Sequence, residues 1–308
     1  MNVFHKPMNR TLARLVAGTF LNVATSVSSI VTVPLGSLRR VEEQVKVNQT
    51  MYEQNVYYPD VFKGCLNDCV YCKPSFQRQA KRQLHRCKVL NEKGVPKCYS
   101  FEPHIHEERM YTPLGDNKFA YRVTPKTVGD QFVFFPKGGD PCYATLDELE
   151  QMFDFIDNNP QTTFLMQTKV PECFEQINQF PENLILGITL ESDRELFQTP
   201  SQYKAYCEIS KAATLGERVH LFSRVNHKRK FVTVEPILQF RLDIFVTWLR
   251  CLKPQAVYVG YDTKGCKLPE PTLVETLALI EALEKEGIEV RRKTIRKAWY
   301  ETESLEVS

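Results

Sequence analysis

Three cysteines, Cys65, Cys69 and Cys72, stand in the run GCLNDCVYC from Gly64 to Cys72, with CxxxCxxC spacing. Iron–sulfur clusters are held by Cys thiolates. Three thiolates this close together can take three irons of a [4Fe–4S] cluster. No fourth Cys lies in the run, so the fourth iron would keep an open position. A cluster needs such a position if it is to bind and act on a ligand as well as carry electrons. Two other readings stand beside this one: a zinc loop, and three unrelated thiols. Zinc favours paired CxxC knuckles with a second pair downstream, and none follows here. Tyr71 sets an aromatic face beside the loop.

The elements that must position this loop show an alternating pattern from about residue 54 onward. The strand candidates are Asn55–Tyr58, Phe132–Phe135, Thr163–Met166, Leu184–Ile188, Phe231–Val234, Ala256–Val259 and Ile288–Val290. Amphipathic helices are expected between them, over Leu146–Ile156, Tyr203–Ala213, Leu242–Leu252 and Pro271–Glu286, with a short one over Pro171–Ile177. Thr145 with Asp147 and Glu148 marks a helix start, and Gly287 marks a helix end. Apolar strands alternating with helices imply parallel strands buried on both faces. The expected fold class is therefore α/β, a partial or complete (β/α) barrel of parallel strands with an N-terminal extension.

Barrels of this kind place their chemistry at the C-terminal ends of the strands. Read in order, those ends carry the Cys loop, then Gly138, Gly139 and Asp140, then Gln167, Thr168 and Lys169. Thr189, Glu191 and Ser192 come next, followed by Glu235, and last Asp262 and Lys264. Each end offers groups able to hold a polar ligand.

The chain has 308 residues, 43% hydrophobic and 25% charged, with a net charge of +3. This is an ordinary globular balance, too weakly basic to argue for nucleic acid by itself. Ten cysteines, clustered as above, read as metal and redox chemistry in a reducing, cytoplasmic setting and not as a secreted disulfide frame. Residues 1–41 contain no Asp or Glu. They are read as part of an N-terminal extension over 1–50, with an organellar transit peptide as the other reading. Their polar residues, with Gly18 and Pro34, argue against a membrane span, which wants about 20 mainly apolar residues.

The CxxxCxxC run resembles the radical SAM superfamily. That resemblance implies that the open iron is chelated by the amino and carboxylate groups of S-adenosylmethionine. One electron from the cluster, supplied by a flavodoxin- or ferredoxin-like donor, then breaks the sulfonium bond. The resulting 5′-deoxyadenosyl radical takes hydrogen from a substrate. The resemblance also implies that Tyr71 lies against the adenine and that Gly138, Gly139 and Asp140 contact the methionine amino group. Thr189 and Glu191 would reach the ribose or carboxylate. Lys169, Glu235 and Asp262 are the catalytic candidates, with Lys264 on the substrate side. The segments FKGCLNDCVYC, FLMQTK, NLILGITLES, FVTVEPIL, AVYVGYDTK and VRRKTIRKAW are similar to a group of radical SAM-like proteins of phages, bacteria and archaea. That group is distantly akin to spore photoproduct lyase, and the kinship brings in nucleic acid as a substrate class. A non-enzymatic iron–sulfur or zinc module serving a partner protein is the alternative.

Between the Cys loop and the second strand lies an inserted segment, about residues 73–130. Its basic run Arg78–Lys88 is expected to form the first barrel helix. Cys87, Cys98, His104 and His106 follow in C-x10-C-x5-H-x-H spacing, which suits a second metal or is incidental. Cys142 is a candidate relay or extra ligand. Cys173, Cys207, Cys251 and Cys266 read as isolated thiols. Near the C-terminus Arg291, Arg292, Lys293, Arg296 and Lys297 precede Trp299 and Tyr300. Cations interleaved with aromatics can hold phosphates and stack bases. Residues 301–308 read as a frayed tail.

Overall fold

The computed structural model describes residues 51–82, 87–115, 118–199 and 202–301. The N-terminal extension, nearly all of the tail and part of the basic run at residues 83–86 lie outside the described residues.

Six strands form one all-parallel sheet, a half-barrel. In spatial order they are β13 (Glu289–Arg292), β12 (Ala256–Val259), β11 (Lys230–Val234), β8 (Leu184–Thr189), β7 (Phe164–Thr168) and β5 (Val133–Phe134). Past Phe135 the chain extends as β6 (Gly138–Gly139), which pairs in parallel with β1 (Phe62–Gly64). On its other edge β1 pairs antiparallel with β2 (His104–Ile105), and β3 (Tyr111–Gly115) and β4 (Lys118–Tyr121) form a separate antiparallel pair. The ladder does not close into a full barrel: among the described residues β13 pairs with β12 alone.

The side-chain alternation of a strand divides this sheet into two faces. Val133, Phe164, Met166, Leu186, Val232 and Val257 point one way and pack under the helices. Those helices are α3 (Leu146–Asp157), α4 (Leu215–Arg224), α5 (Leu242–Cys251) and α6 (Leu273–Lys285). Phe134, Leu165, Ile185, Phe231 and Tyr258 point the other way and surround Tyr52. Further along β7, β8 and β11 that second face turns polar: Gln167 follows Leu165, Thr189 follows Ile185 and Gly187, and Thr233 and Glu235 follow Phe231. The parity of the strands thus carries an apolar floor up into a polar rim. Tyr52 joins the two, its ring among aromatics and its hydroxyl bonded to Gln167 and, at 2.8 Å, to Thr233.

Helices α3 and α6 both begin with full capping boxes, Thr145 with Glu148 and Thr272 with Glu275. Each satisfies two otherwise orphaned donors. Gly287, at φ +76°, ends α6 as expected.

Several expectations are corrected. Asn55–Tyr58 is a single parallel bridge to Phe132 and not a strand, because the Asn55 side chain accepts the Phe134 amide in place of the main chain. The strand that enters the Cys loop is β1. No α-helix covers Tyr203–Ala213; only a 3-10 turn over Tyr206–Glu208 lies there. Leu196–Gln198 (β9) and Tyr203–Ala205 (β10) form an antiparallel hairpin there. The helix starts only at Leu215, where Thr214 caps the Glu217 amide. Pro171–Gln176 is a 3-10 turn. Of the basic run, Arg78–Lys81 is one helical turn (α1), entered through a π-helical turn at Lys73–Gln77.

Candidate active site

Cys65 follows β1 directly. The loop it opens is pinned from the far side: Val70 donates to the Ile209 carbonyl at 2.9 Å, and Lys211 donates to the Asn67 carbonyl at 2.7 Å. Gly64 at the entry has φ +92°, and a Cβ there would sit 2.2 Å from the Glu102 carbonyl oxygen. Only glycine fits such an approach. Cys69 is buried, whereas Cys65 and Cys72 are partly exposed. Cys69 Sγ lies 3.1 Å from Ser210 Oγ and 3.4 Å from Lys169 Nζ. A hydrogen bond with Cys72 and the Lys169 ammonium outweigh burial and hold the Cys69 thiol down to about 6. The shared hydrogen bond and burial push Cys72 the other way.

Behind the loop stands a buried polar cluster. Glu191 accepts from Tyr71, from Tyr206 at 2.9 Å and from Arg218 at 2.9 Å, and meets Lys169 Nζ at 2.8 Å. Arg218 is fully buried and also donates to Tyr206 at 2.6 Å. Burial works against the Glu191 charge, but Lys169 and Arg218 overcome it and hold the carboxyl down to about 2. Burial likewise opposes the Lys169 charge, and Cys69 and Glu191 more than offset it. The Lys169 ammonium lies 4.3 Å from the centre of the Tyr71 ring.

Asp140 is saturated by the protein. Its carboxylate accepts from the Cys142 amide (3.1 Å), Thr168 (2.6 Å), Asn67 (3.0 Å) and the Lys169 amide (2.9 Å). Two carboxylate oxygens offer about four acceptor sites, so these donors fill them. The structure therefore gives Asp140 the task of joining the Cys loop to the end of β7. Gly139 packs against β1, where a Cβ would lie 2.6 Å from the Gly64 carbonyl oxygen.

A cavity of about 620 Å³ opens at the strand ends. Tyr71, Cys72, Gly138, Thr189 and the three catalytic candidates Lys169, Glu235 and Asp262 all line it. Thr189 accepts from Gln167 at 2.6 Å. Glu235 is paired with Lys293. Asp262 accepts the amides of Lys264 (2.9 Å) and Cys266 (2.6 Å) and so shapes the rim. Glu191 lies behind the wall, completely buried.

Other sequence expectations fare differently. Cys142 and Cys173 are joined as a disulfide, so neither is a relay nor an isolated thiol. The C-terminal cations are largely engaged: Arg291 with Glu289 and Asp130, Arg292 with Glu284, and Arg296 with Glu270 through both terminal nitrogens. Trp299 and Tyr300 donate to the Leu268 and Glu270 carbonyls. Sequence reasoning passed over Arg218, Tyr206, Asn67 and Tyr52. For Arg218 a signal was present: it stands on the apolar stripe of Leu215, Val219 and Phe222, where a charge needs a buried partner.

Cys87, Cys98, His104 and His106 converge in the inserted segment, all four buried and with their ligand atoms within 4.8 Å of one another. Burial holds the His106 imidazole down to about 4, in its neutral form.

No family model, curated protein or solved structure matches this chain. No helix of the described residues is long and apolar enough to cross a membrane.

Proposed function

We propose that this protein is a radical SAM enzyme, with Cys65, Cys69 and Cys72 holding a [4Fe–4S] cluster at the mouth of the half-barrel. The observation that carries the reading is one of place. The three-thiol loop and the mixed-charge cavity meet at the C-terminal end of a parallel sheet, with Cys72 and Tyr71 in the wall. The donor set fits the group. It consists of three thiols on one loop, one of them already biased to thiolate near neutral pH, with no fourth Cys in the run. Bound there, the cluster would supply the electron that cleaves the sulfonium of S-adenosylmethionine.

The chain's own residues do the rest. Lys169 holds negative charge on Cys69, and Glu191 keeps that lysine charged and oriented. Arg218 and Tyr206 fix Glu191 from behind, so the ammonium does not turn away from the loop. Asp140 ties Asn67 in the loop to Thr168 and Lys169 at the end of β7. The cavity wall supplies lysines at positions 63, 137, 169 and 264 and carboxylates at 60, 235 and 262. Such a mixture suits a ligand carrying a carboxylate, an ammonium and a sulfonium together. The apolar floor around Tyr52 excludes water from the inner end. Hydrogen abstraction from a substrate entering by the same mouth is the reaction class. Nucleic acid as that substrate draws no support from the C-terminal basic run, whose arginines are matched with acids.

The test is anaerobic reconstitution with iron and sulfide, followed by dithionite and S-adenosylmethionine. 5′-Deoxyadenosine should form with the wild type and not with Cys69→Ala. A protein that takes up no iron and stays colourless under every reconstitution condition would overturn the reading, whatever zinc the inserted segment holds.

A further inference from the structure

The inserted segment gathers a second group of ligating side chains, separate from the Cys65–Cys72 loop. We propose that Cys87, Cys98, His104 and His106 bind a structural zinc ion.

The distances carry the argument. Zn–N bonds of about 2.0–2.1 Å and Zn–S bonds of about 2.3 Å give a tetrahedron whose edges are about 3.3–3.8 Å. Three of the six edges measure 3.4 Å from Cys87 Sγ to His104 Nε2, 3.3 Å from Cys98 Sγ to His104 Nε2, and 3.4 Å from Cys98 Sγ to His106 Nε2, and no two of the four atoms are more than 4.8 Å apart. The two Nε2 atoms are 3.0 Å apart. This spacing suits one ion. Ligands distributed over the irons of a cluster would stand farther apart.

The outer contacts fix the tautomers. His104 Nδ1 lies 2.7 Å from the Glu102 carbonyl, and His106 Nδ1 lies 3.1 Å from the Glu108 carboxylate. Both partners only accept, so each Nδ1 carries its ring's proton. Both Nε2 atoms then present lone pairs to each other across 3.0 Å, with two sulfurs beside them. The two lone pairs and the two sulfurs all face one point, and one shared cation would satisfy all four at once. A metal-bound His with its other ring nitrogen donating to a carbonyl or carboxylate is the usual outer-shell pattern.

The chemistry selects zinc. A tetrahedral S2N2 set suits Zn2+, and four protein ligands leave no open position, as in structural sites. Two thiolates and two neutral imidazoles cancel the charge of the ion, which a buried site requires. The ligands come from three local pieces: the coil at Cys87, the turn α2 (Lys97–Ser100) and β2 with the residue after it. These pieces are too short to hold one another by apolar burial alone, so the ion would be their common anchor.

The test uses the full chain with Cys65→Ala, Cys69→Ala and Cys72→Ala together, so that iron-cluster ligands cannot contribute. Purified under reducing conditions, it should retain about one zinc per chain by elemental analysis. Adding Cys98→Ser and His106→Gln should remove that zinc, whereas adding His227→Gln should not. In case the Cys98 variant fails to fold, zinc is also exchanged for Co2+ in the chain that carries only the three alanines. Intense tetrahedral ligand-field bands with thiolate charge transfer are expected. The proposal is overturned if zinc is absent from that chain, if it survives the Cys98 and His106 changes, or if the cobalt bands are weak and octahedral.

Discussion

Lys169 and Glu191 form a buried ion pair, Nζ 2.8 Å from Oε1, and the same ammonium reaches Cys69 Sγ at 3.4 Å. One cation thus serves two anionic groups that stand far apart in the chain. An opposite charge within about 4–6 Å lowers a thiol's pKa by about 1–3 units. Replacing Lys169 with Met should therefore raise the Cys69 thiol by about one unit or more from its value near 6. Thiolate absorbance against pH on the metal-free protein reads this directly, and an unmoved midpoint would show that the Cys72 hydrogen bond alone sets the value.

Glu191 should make the fold acid-sensitive. Its folded pKa is depressed to about 2, below the unfolded value of about 4.3. The stability it contributes is present above the unfolded value and is lost as pH falls towards about 2. Urea midpoints of the wild type should drop through that window. Glu191→Gln should be less stable at neutral pH, by about 3–5 kcal/mol for a broken buried pair, with a flatter dependence below pH of about 4. Parallel curves for the two proteins would contradict this.

Gly64→Ala should be severe for its size. The new Cβ would overlap the Glu102 carbonyl, and φ +92° is strained for any L side chain. A loss of about 2 kcal/mol or more is expected in urea unfolding. Iron content after reconstitution should fall as well, since the displaced residue directly precedes Cys65.

Glu235→Gln should weaken ligand binding more than it weakens the fold, because Glu235 lines the cavity mouth. It removes the charge opposite Lys293 in the cavity wall. A lost charge-assisted hydrogen bond of about 1.5–3 kcal/mol corresponds to about 10–150-fold in affinity. If the proposed function holds, the KM for S-adenosylmethionine should rise by that factor while iron content stays near that of the wild type, with a modest fall in melting temperature from the lost Lys293 pair. A protein that no longer takes up iron would instead place Glu235 among the structural groups.

Much of this arrangement was legible in the sequence. Ala256–Val259 and Leu184–Thr189 are apolar runs buried on both faces, and continuous apolar character is what such strands require. The caps at Thr145 and Thr272 announce themselves through an acid three residues on. The ring of polar strand ends was legible because chain order and barrel geometry together say which residues face the mouth. What stayed hidden depends on distant partners. Asp140 reads as an open acceptor until Asn67 and Thr168 are seen to fill it. The segment Tyr203–Ala213 has helical composition, but Tyr203–Ala205 pairs with Leu196–Gln198 and the chain goes on into a 3-10 turn. The basic run near the C-terminus looks like a phosphate-binding surface until Glu270, Glu284 and Glu289 appear beside it.

The strand β1 is three residues long and is paired on both edges, through Lys63 to His104 on one side and through Gly64 to Gly139 on the other. The amide of Cys65 continues the bond network to the Phe101 carbonyl at 3.3 Å. Any ion seated at His104 and any cluster seated at Cys65 therefore share one ordered ribbon of backbone. Whichever arrives first meets the entropic cost of ordering that ribbon, and the second binds more tightly for it. Thermodynamic reciprocity requires the same enhancement in either order of loading. With both groups bound, each would tighten the other's hold, while zinc would still fill its own site in a chain that lacks the cluster cysteines.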